Sequence, residues 1–164
     1  MTTIRPATVS DHDAIWHLLE PVFRAGDTYT IDPGVSRDDA LAYWLAPEKT
    51  TYVCEDGGQV LGTYYLRPNA AGGGAHVCNC GYITAPQARG RGIARAMLAH
   101  SLDAARTAGY RAMQYNFVVE TNQRAVQTWL RAGFDVVGRL PGAFLHPQGG
   151  YVDALVMMKD LTDG

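Results

Sequence analysis

The chain of 164 residues is 47% hydrophobic and carries a formal net charge of −2, which fits one globular domain with a sizeable core and leaves little room for two. Its dispersed basic residues give no reason to expect an extended nucleic-acid surface, and no apolar run reaches the length of about 18 residues that suggests a membrane span. The first residues lack a signal-peptide core, so we expect a cytoplasmic protein with no membrane or nucleic-acid partner.

The first third of the chain predicts a strand followed by two helices. A strand at residues 4–7 precedes a helix that Ser10 should cap, and we expect Pro21 to kink or end that helix. Residues 24–35 lack periodicity and form a loop of the kind that is often either a binding lid or simply mobile. Ser36 then begins a second, shorter helix.

The pattern next changes from helix to strand. Two strands should form a hairpin around residues 56–58. A third strand at 75–84 contains Gly81, which we interpret as a bulge of the kind found near active sites. A helix at 93–107 and a strand at 111–119 follow, which is the order of elements in a parallel crossover.

The last third predicts one more helix and two paired strands. The helix runs from about residue 122 to 132, and a turn-rich segment at 141–150 separates the strands. The full order, β-α-α-β-β-β-α-β-α-β-β, predicts an α/β domain.

Three cysteines, Cys54, Cys78 and Cys80, make an odd set that does not suit a disulfide framework. Cys78 and Cys80 alternate around Asn79 and would share one face of a strand. Zinc would need further ligands, and the nearby candidate is His76. We therefore interpret the cysteines as reduced core residues and predict no metal site.

A glycine-rich turn joins the third predicted strand to the following helix. It reads Gln87-x-x-Gly90-x-Gly92, and a helix start leaves backbone N–H groups without intrahelical partners. Those amides and the helix dipole suit a phosphate or pyrophosphate, and Arg89 and Arg91 add positive charge. The spacing excludes the dinucleotide pattern G-x-G-x-x-G, and the chain contains no G-x-x-x-x-G-K-[ST].

A second motif reads N-x-x-A and closes in an aromatic residue followed by G-F. It is formed by Asn122, Ala125, Trp129, Gly133 and Phe134. Together the two motifs resemble the GCN5-related N-acetyltransferase (GNAT) superfamily. The resemblance covers nearly the whole chain and is most specific over residues 75–134.

This resemblance implies one N-acetyltransferase domain over residues 1–164. It implies a mixed, mostly antiparallel sheet of about seven strands flanked by about four helices, with a parallel, splayed strand pair at the centre. The implied cofactor is acetyl-CoA, whose pyrophosphate would lie on the glycine turn. The residues implied to hold it are Ile83, Thr84, Gln87, Arg89, Gly90, Arg91, Gly92, Ile93, Ala94, Asn122, Ala125 and Trp129.

Segments such as Asn79-Cys-Gly-Tyr82 and Tyr115-Asn-Phe-Val-Val119 look like the branch that includes the yeast azetidine-2-carboxylate, or proline-analogue, N-acetyltransferase. In that branch, asparagines equivalent by motif to Asn79, Asn116 and Asn122 are implicated in substrate handling and catalysis. The candidate substrate-binding residues are Asn79, Asn116, Phe117, Tyr29 and His146.

The candidate catalytic residues are Asn79, Tyr82 and Glu120. Glu120 could take the proton of the amine, or it could be a solvated loop carboxylate at a helix start. Asn79 could orient the amine or be structural, and an amide near Tyr82 could stabilise the oxyanion. Many family members have a tyrosine acid where this chain has Trp129, and an indole cannot act as an acid near neutral pH. Either another group or water protonates the thiolate, or no acid is needed.

We therefore expect an N-acetyltransferase whose acceptor is a small-molecule amine, such as a proline-like amino acid or another compact amine. Two alternatives stay open. The chain could acetylate a peptide or protein, or it could be a non-catalytic acyl-CoA sensor, which the tryptophan at position 129 keeps open. A homodimer is also left open.

Overall fold

A computed structural model describes residues 1–163 of the chain. Within this range the α-helices are α1 (His12–Ala25), α2 (Arg37–Trp44), α3 (Ile93–Thr107) and α4 (Gln123–Arg131). The strands are β1 (Thr2–Pro6), β2 (Thr50–Asp56), β3 (Gln59–Pro68), β4 (Val77–Thr84), β5 (Ala112–Val119), β6 (Asp135–His146) and β7 (Gly150–Asp160).

The seven strands form one sheet in the order β1-β2-β3-β4-β5-β7-β6. The central neighbours β4 and β5 run parallel, because α3 carries the chain back between them, and the other neighbours are antiparallel. The predicted α/β class, with a mixed seven-stranded sheet and a parallel pair at its centre, is confirmed.

Alternation along β3 shows which helices cover each face of the sheet. A Cβ atom at Gly62 would lie 2.9 Å from side-chain atoms of Ile93 and Met97, so even-numbered residues of β3 face α3. Tyr65 faces the other way, and its ring centroid lies 4.8 Å from that of Trp44 at the end of α2. We call the two sides the α3–α4 face and the α1–α2 face.

Several local predictions are confirmed. The β2–β3 hairpin turns at Gly57 and Gly58, whose φ angles of 60° and 79° suit a type I′ turn. Ser36 Oγ accepts the Asp39 N–H at the start of α2. The three cysteines are buried and free. No helix within residues 1–163 is long and apolar enough to cross a membrane.

Pro21 does not end the helix, because α1 continues through it to Ala25 and ends at Gly26, whose φ is 65°. Apolar side chains on both sides of Pro21, including Leu18 and Phe23, are buried and hold the helix in place. Pro21 itself is exposed, so the carbonyl group that it leaves unpaired can reach water. The first cap also differs, since the N-cap of α1 is Asp11 rather than Ser10.

The turn-rich segment predicted at 141–150 is mostly strand. β6 continues through Pro141 and Gly142 to His146, and its register against β7 shifts between Leu140 and Phe144. β6 is the outer strand of the sheet, and a proline is tolerated there because the open side of the strand has no ladder to break. The register shift between Leu140 and Phe144 accommodates Gly142.

Candidate active site

The glycine turn before α3 presents an open row of backbone donors. Gly90 and the N-cap Gly92 both have φ of 81°, and a Cβ atom at either position would meet nothing within 4 Å. The first helical bond joins Ala96 N to Gly92 O. The N–H groups of Gly90, Gly92, Ile93 and Ala94 therefore have no acceptor among the described residues. This is the geometry that an anion at a helix N-terminus requires.

The two arginines of the turn differ in their partners. Arg91 Nη2 lies 2.7 Å from Asp56 Oδ2 in the β2–β3 hairpin, so part of its charge is already neutralised. Arg89 is exposed and has no carboxylate within ion-pair distance in the described chain. Gln87 lies in a short 3-10 turn and is also exposed. Arg89 is thus the side chain of the turn with an uncommitted positive charge.

A cleft opens where β4 and β5 separate. The two strands pair at Val77–Ala112 and Cys78–Met113 and no further. Beyond that point β5 is irregular against β7, with a register shift between Tyr115 and Val118. We call the space between the separated segments the cleft. It lies at the carboxyl ends of two parallel strands, next to the glycine turn, where ligands bind in open α/β sheets.

The predicted bulge at Gly81 is wrong. The register of β3 against β4 is continuous from Pro68–Cys78 to Gly62–Thr84. Gly81 is instead required by packing, because a Cβ atom there would lie 2.6 Å from Cε2 of Tyr65. The residue lets an aromatic ring lie flat against the strand beside the cleft.

The backbone of β4 alternates between bonding β3 and facing the cleft. Leu61 O accepts the Ala85 N–H, which places the odd-numbered residues of β4 in the ladder, including Ile83. The carbonyl of Tyr82 points away from β3 and accepts the Tyr29 hydroxyl at 2.9 Å. The N–H group of Tyr82 points the same way, as does that of Thr84. Tyr82 and Thr84 therefore present backbone groups to the cleft, and Ile83 does not.

The side chain of Tyr82 lies on the α3–α4 face. Its hydroxyl lies 2.7 Å from Ser101 Oγ of α3 and 2.9 Å from the hydroxyl of Tyr115. Burial raises the pKa of Tyr82 well above its usual range, so the phenol is neutral. A buried neutral phenol is a poor proton acceptor, which favours a backbone role for Tyr82 at the reacting group.

The second motif begins α4 and packs Trp129 behind the cleft. Asn122 Oδ1 accepts the Ala125 N–H at 3.4 Å, so Asn122 caps the helix. The Trp129 ring centroid lies 5.2 Å from that of Tyr82 and 4.9 Å from that of Tyr115. Its indole N–H has no acceptor in the part of the chain that the structure describes.

Side-chain amides line the α1–α2 face at the point where the strands separate. Asn116 Nδ2 donates to Asn69 Oδ1 at 2.7 Å, and Gln114 Nε2 donates to Asn116 Oδ1 at 2.9 Å. Asn79 lies on the same face opposite Arg67, is half-buried, and makes no side-chain hydrogen bond to residues 1–163. Asn69 and Gln114 were not identified from the sequence, because no motif contains them.

The Glu120 carboxylate is engaged by an arginine. Arg139 Nη1 of β6 contacts Glu120 Oε2, and it lies 2.9 Å from Asp153 Oδ2 of β7. The Gly142 N–H and then Arg139 hold the pKa of Asp153 below its usual range. This pairing ties the β5–α4 turn to the outer strands and favours an ion-pair role for Glu120. Arg139 carries no sequence signal of its own.

Two segments meet above the α1–α2 face of the cleft. One is the loop 26–35 that carries Tyr29, and the other is the β6–β7 turn after His146; we call them the roof segments. They approach each other at Gly26, whose added Cβ atom would lie 3.9 Å from Pro147 Cγ. The rings of Phe117 and Phe144 bring the same hairpin against β5, with centroids 6.1 Å apart.

His146 is committed to the β6–β7 turn. Its Nδ1 accepts the N–H groups of Gln148 and Gly149 at 3.1 and 3.2 Å. An accepting Nδ1 leaves the ring proton on Nε2, so the free edge of the imidazole is a hydrogen-bond donor and not a base.

A buried lysine lies behind the aromatic side chains of the α1–α2 face. Lys49 is 9% exposed, and its Nζ lies 3.5 Å from the centroid of Tyr43 and 4.2 Å from that of Tyr65. Burial, and then the charge of Arg67, lowers the pKa of Lys49 to about 8. Sequence analysis missed this residue, because Pro47 and Glu48 directly before it are typical of a loop.

Comparisons with known proteins agree with this geometry. A family described as acetyltransferase (GNAT) matches residues 12–134. N-acetyltransferase aca1 of Schizosaccharomyces pombe is 29% identical over 148 residues, which cover 80% of this chain and 71% of the yeast protein. A GCN5-related N-acetyltransferase from Kribbella flavida superposes with a TM-score of 0.93 at 40% identity over 97% of each chain.

A more distant neighbour shows the same fold. The phosphinothricin acetyltransferase of Sinorhizobium meliloti, solved in complex with acetyl-CoA, has a TM-score of 0.86 at 19% identity over 99% of this chain and 90% of that chain. The glycine turn, the cleft and α4 all lie within or at the boundary of the matched family region. The chain belongs to the acetyltransferase (GNAT) family.

Proposed function

We propose that this N-acetyltransferase transfers the acetyl group of acetyl-CoA to a compact small-molecule amine, with residues 1–164 acting as one domain. The observation that carries the proposal is the closure of the acceptor side of the cleft. Tyr29 reaches the Tyr82 carbonyl from the loop, and Gly26 of that loop approaches Pro147 of the β6–β7 turn. An amine on the α1–α2 face must fit under these roof segments, which favours a small acceptor over a peptide chain.

The fit of acetyl-CoA is supported by the backbone. Gly90, Gly92, Ile93 and Ala94 would hold the pyrophosphate, because their N–H groups are free and the space above both glycines is open. Acetyl-CoA supplies an activated thioester for direct attack by the amine. The N–H of Tyr82 faces the cleft, where a backbone donor stabilises negative charge on a carbonyl oxygen.

On the acceptor side, the free amide of Asn79 is the group best placed to orient the amine. Its oxygen can accept an amine N–H, and its NH₂ group can donate to a substrate oxygen. Asn116 has both of its amide atoms bonded to neighbouring amides, so it supports the arrangement of that face. Tyr29 and Phe117 enclose the site, and the Nε2–H of His146 is a further donor.

Trp129 behind the cleft favours a mechanism without a side-chain acid at that position. An indole N–H donates a hydrogen bond but is not released near neutral pH. The leaving thiol has an ordinary pKa of about 8.5, so its thiolate departs without prior protonation. The tryptophan does not by itself favour the sensor alternative.

An amine panel scored by thiol release tests the proposal. The protein is mixed with acetyl-CoA and, in separate wells, with cyclic secondary amino acids, small primary amines, and peptides with free N-termini. We expect release above the amine-free control with compact amines and none with peptides. Turnover of peptides alone would support the protein-acetylating alternative. Binding of acetyl-CoA without release from any amine would support the sensor.

Two further statements stay predictions. A cytoplasmic location is the expectation from the sequence, and a homodimer stays an open alternative.

A further inference from the structure

Three hydroxyl groups, on the buried Ser101 and Tyr115 and the partly buried Tyr82, form a hydrogen-bonded row on the α3–α4 face, behind the cleft. The Tyr82 hydroxyl lies 2.9 Å from the Tyr115 hydroxyl and 2.7 Å from Ser101 Oγ, which in turn lies 2.8 Å from the Leu98 carbonyl. Ser101 is fully buried and Tyr115 is 5% exposed. We call Tyr115, Tyr82 and Ser101 the hydroxyl chain. Neither Tyr115 nor Ser101 has a role in the site described above.

The direction of each bond in the hydroxyl chain follows from its last acceptor. A carbonyl oxygen only accepts, so Ser101 donates its single proton to Leu98 and must accept from Tyr82. Because Tyr82 donates its hydroxyl proton to Ser101, its oxygen accepts the hydrogen bond from the Tyr115 hydroxyl. Burial raises the pKa of both tyrosines well above the usual range, so both protons stay in place near neutral pH.

The bond between Tyr115 and Tyr82 crosses the gap between the two separated strands. The last backbone pair of β4 and β5 is Cys78–Met113. Tyr82 lies four residues beyond Cys78, and Tyr115 lies two residues beyond Met113. The two strands are therefore joined by a side-chain bond at a level where their backbone ladder has already ended. Ser101 attaches this bond to α3, the helix whose first turn forms the anion site.

We propose that the hydroxyl chain sets the separation of β4 and β5 in the ligand-free protein and so prepares the cleft for the extended arm of acetyl-CoA. Tyr115 and Ser101 are then positioning residues, which act through the backbone of β4 and do not touch the reacting atoms. Holding a site in its bound shape raises affinity by removing the cost of ordering it on binding. The inference rests on the cofactor part of the proposed function and is independent of the acceptor.

The test measures binding of acetyl-CoA alone to Tyr115→Phe, Tyr82→Phe and the double variant by isothermal titration calorimetry. Each phenylalanine keeps the ring and removes the bond across the gap. We expect each single variant to weaken binding by about threefold to tenfold, the range expected for one hydrogen bond. The double variant should bind no more weakly than the weaker single variant, because both changes remove the same bond. Amide exchange in the ligand-free variants should be faster at the β4–β5 pair.

Tyr64→Phe is the matched control. Tyr64 is fully buried on the same face of β3, and its hydroxyl lies 2.6 Å from His100 Nδ1, so the variant also loses a buried hydroxyl bond but none across the gap. We expect it to lower stability without changing the affinity for acetyl-CoA. Equal weakening by Tyr64→Phe, or unchanged affinity in Tyr115→Phe, would overturn the proposal. The proposal would also be overturned if the loss of affinity in the double variant equalled the product of the two single-variant losses.

If Tyr115→Phe does not fold, Tyr82→Phe alone provides the same test, since it removes the same bond across the gap. Failure of the proposed function has a different signature. It appears as acetyl-CoA binding without thiol release from any amine, and the affinity measurements on the variants can be read whether or not turnover occurs.

Discussion

The cofactor side and the acceptor side of the cleft are built from different parts of the polypeptide. The proposed anion site uses backbone N–H groups that lie close together in the chain, those of Gly90, Gly92, Ile93 and Ala94, and its exposed side chains are largely dispensable for geometry. The proposed acceptor side uses side chains from β4, β5 and the roof segments, which are far apart in the chain. A backbone site binds one constant group, whereas a site made of side chains can change its substrate by substitution.

The sharpest way to break the cofactor side is Gly90→Asp. An aspartate at φ of 81° is strained, and its carboxylate would lie among the N–H groups that face the pyrophosphate. We expect acetyl-CoA affinity to fall by about a thousandfold or more, since several charge-assisted bonds are lost together. Isothermal titration calorimetry measures the change.

The control for that prediction is Gly109→Asp, at the other end of α3. Gly109 has φ of 90° and, like Gly90, open space around an added Cβ atom, so the backbone strain is similar. We expect it to lower the melting temperature and leave acetyl-CoA affinity intact. Equal affinity loss in both variants would show that strain in α3, and not the anion site, is responsible.

The corresponding change on the acceptor side is Asn79→Ala. Because the Asn79 side chain makes no hydrogen bond to any of residues 1–163, its removal should leave the fold and acetyl-CoA affinity nearly unchanged. We expect turnover with the best amine of the panel to fall by about tenfold to a hundredfold, the effect of losing one orienting group. Steady-state thiol release gives the rate, and calorimetry gives the affinity.

Asn79→Asp is the size-matched variant for this test. It keeps the acceptor oxygen and loses the NH₂ donors. A rate near wild type in Asn79→Asp would show that the side-chain oxygen orients the amine. A rate like that of Asn79→Ala would show that the NH₂ donors do so. Parallel loss of affinity and turnover would instead mark Asn79 as structural.

The two sides also differ in how far the sequence alone could predict them. The anion site follows from local rules, because Gly90 and Gly92 supply left-handed φ angles directly before a helix start. The caps at Ser36 and Asn122 are local in the same sense. These features depend on residues within a few positions, so a pattern is sufficient to find them.

The acceptor side depends on contacts that no local pattern encodes. The Tyr29 hydroxyl donates to the carbonyl of Tyr82, 53 residues later in the chain. Arg139 of β6 contacts the carboxylate of Glu120, which lies 19 residues earlier. Gly81 predicts a bulge when its own strand alone is considered, whereas the ring that needs its space belongs to Tyr65 on the neighbouring strand. Such pairs can be predicted only when the order of the strands in the sheet is known. The sequence therefore identifies the residues as candidates but does not identify their partners.

Buried charge on the α1–α2 face yields a pH-dependent prediction. The pKa of Lys49 is about 8 in the folded protein and 10.5 as the reference value. Between these values the unfolded chain binds more protons, so stability should rise as pH increases from about 8 to 10.5. Lys49→Met has no titrating group at this position, so its stability should not rise in this way. Across the window, we expect the free energy of unfolding of wild type to increase by about 1–3 kcal/mol relative to that of the variant. Urea unfolding at several pH values measures it.

Lys49→Arg separates titration from packing. Arginine stays charged throughout this window, so its unfolding free energy should not rise relative to Lys49→Met. The same rise in Lys49→Arg as in wild type would contradict the assignment of the effect to deprotonation of Lys49. Acetyl-CoA affinity should stay constant in both variants, because Lys49 lies on the face away from α3.

The smallest expected effect belongs to Glu120→Gln. As a partner of Arg139 at a partly exposed position, Glu120 contributes an ion pair whose loss typically costs about 0.2–1 kcal/mol. We expect the melting temperature to fall slightly and turnover to stay within about twofold, with the same pH profile, because the carboxylate is engaged in an ion pair with Arg139. Arg139→Gln removes the other half of the pair and should match it in both measurements. The opposite outcome is a hundredfold slower reaction in Glu120→Gln that also loses the acidic limb of the pH profile, with no such change in Arg139→Gln. That result would make Glu120 the base and place the proton transfer at the β5–α4 turn.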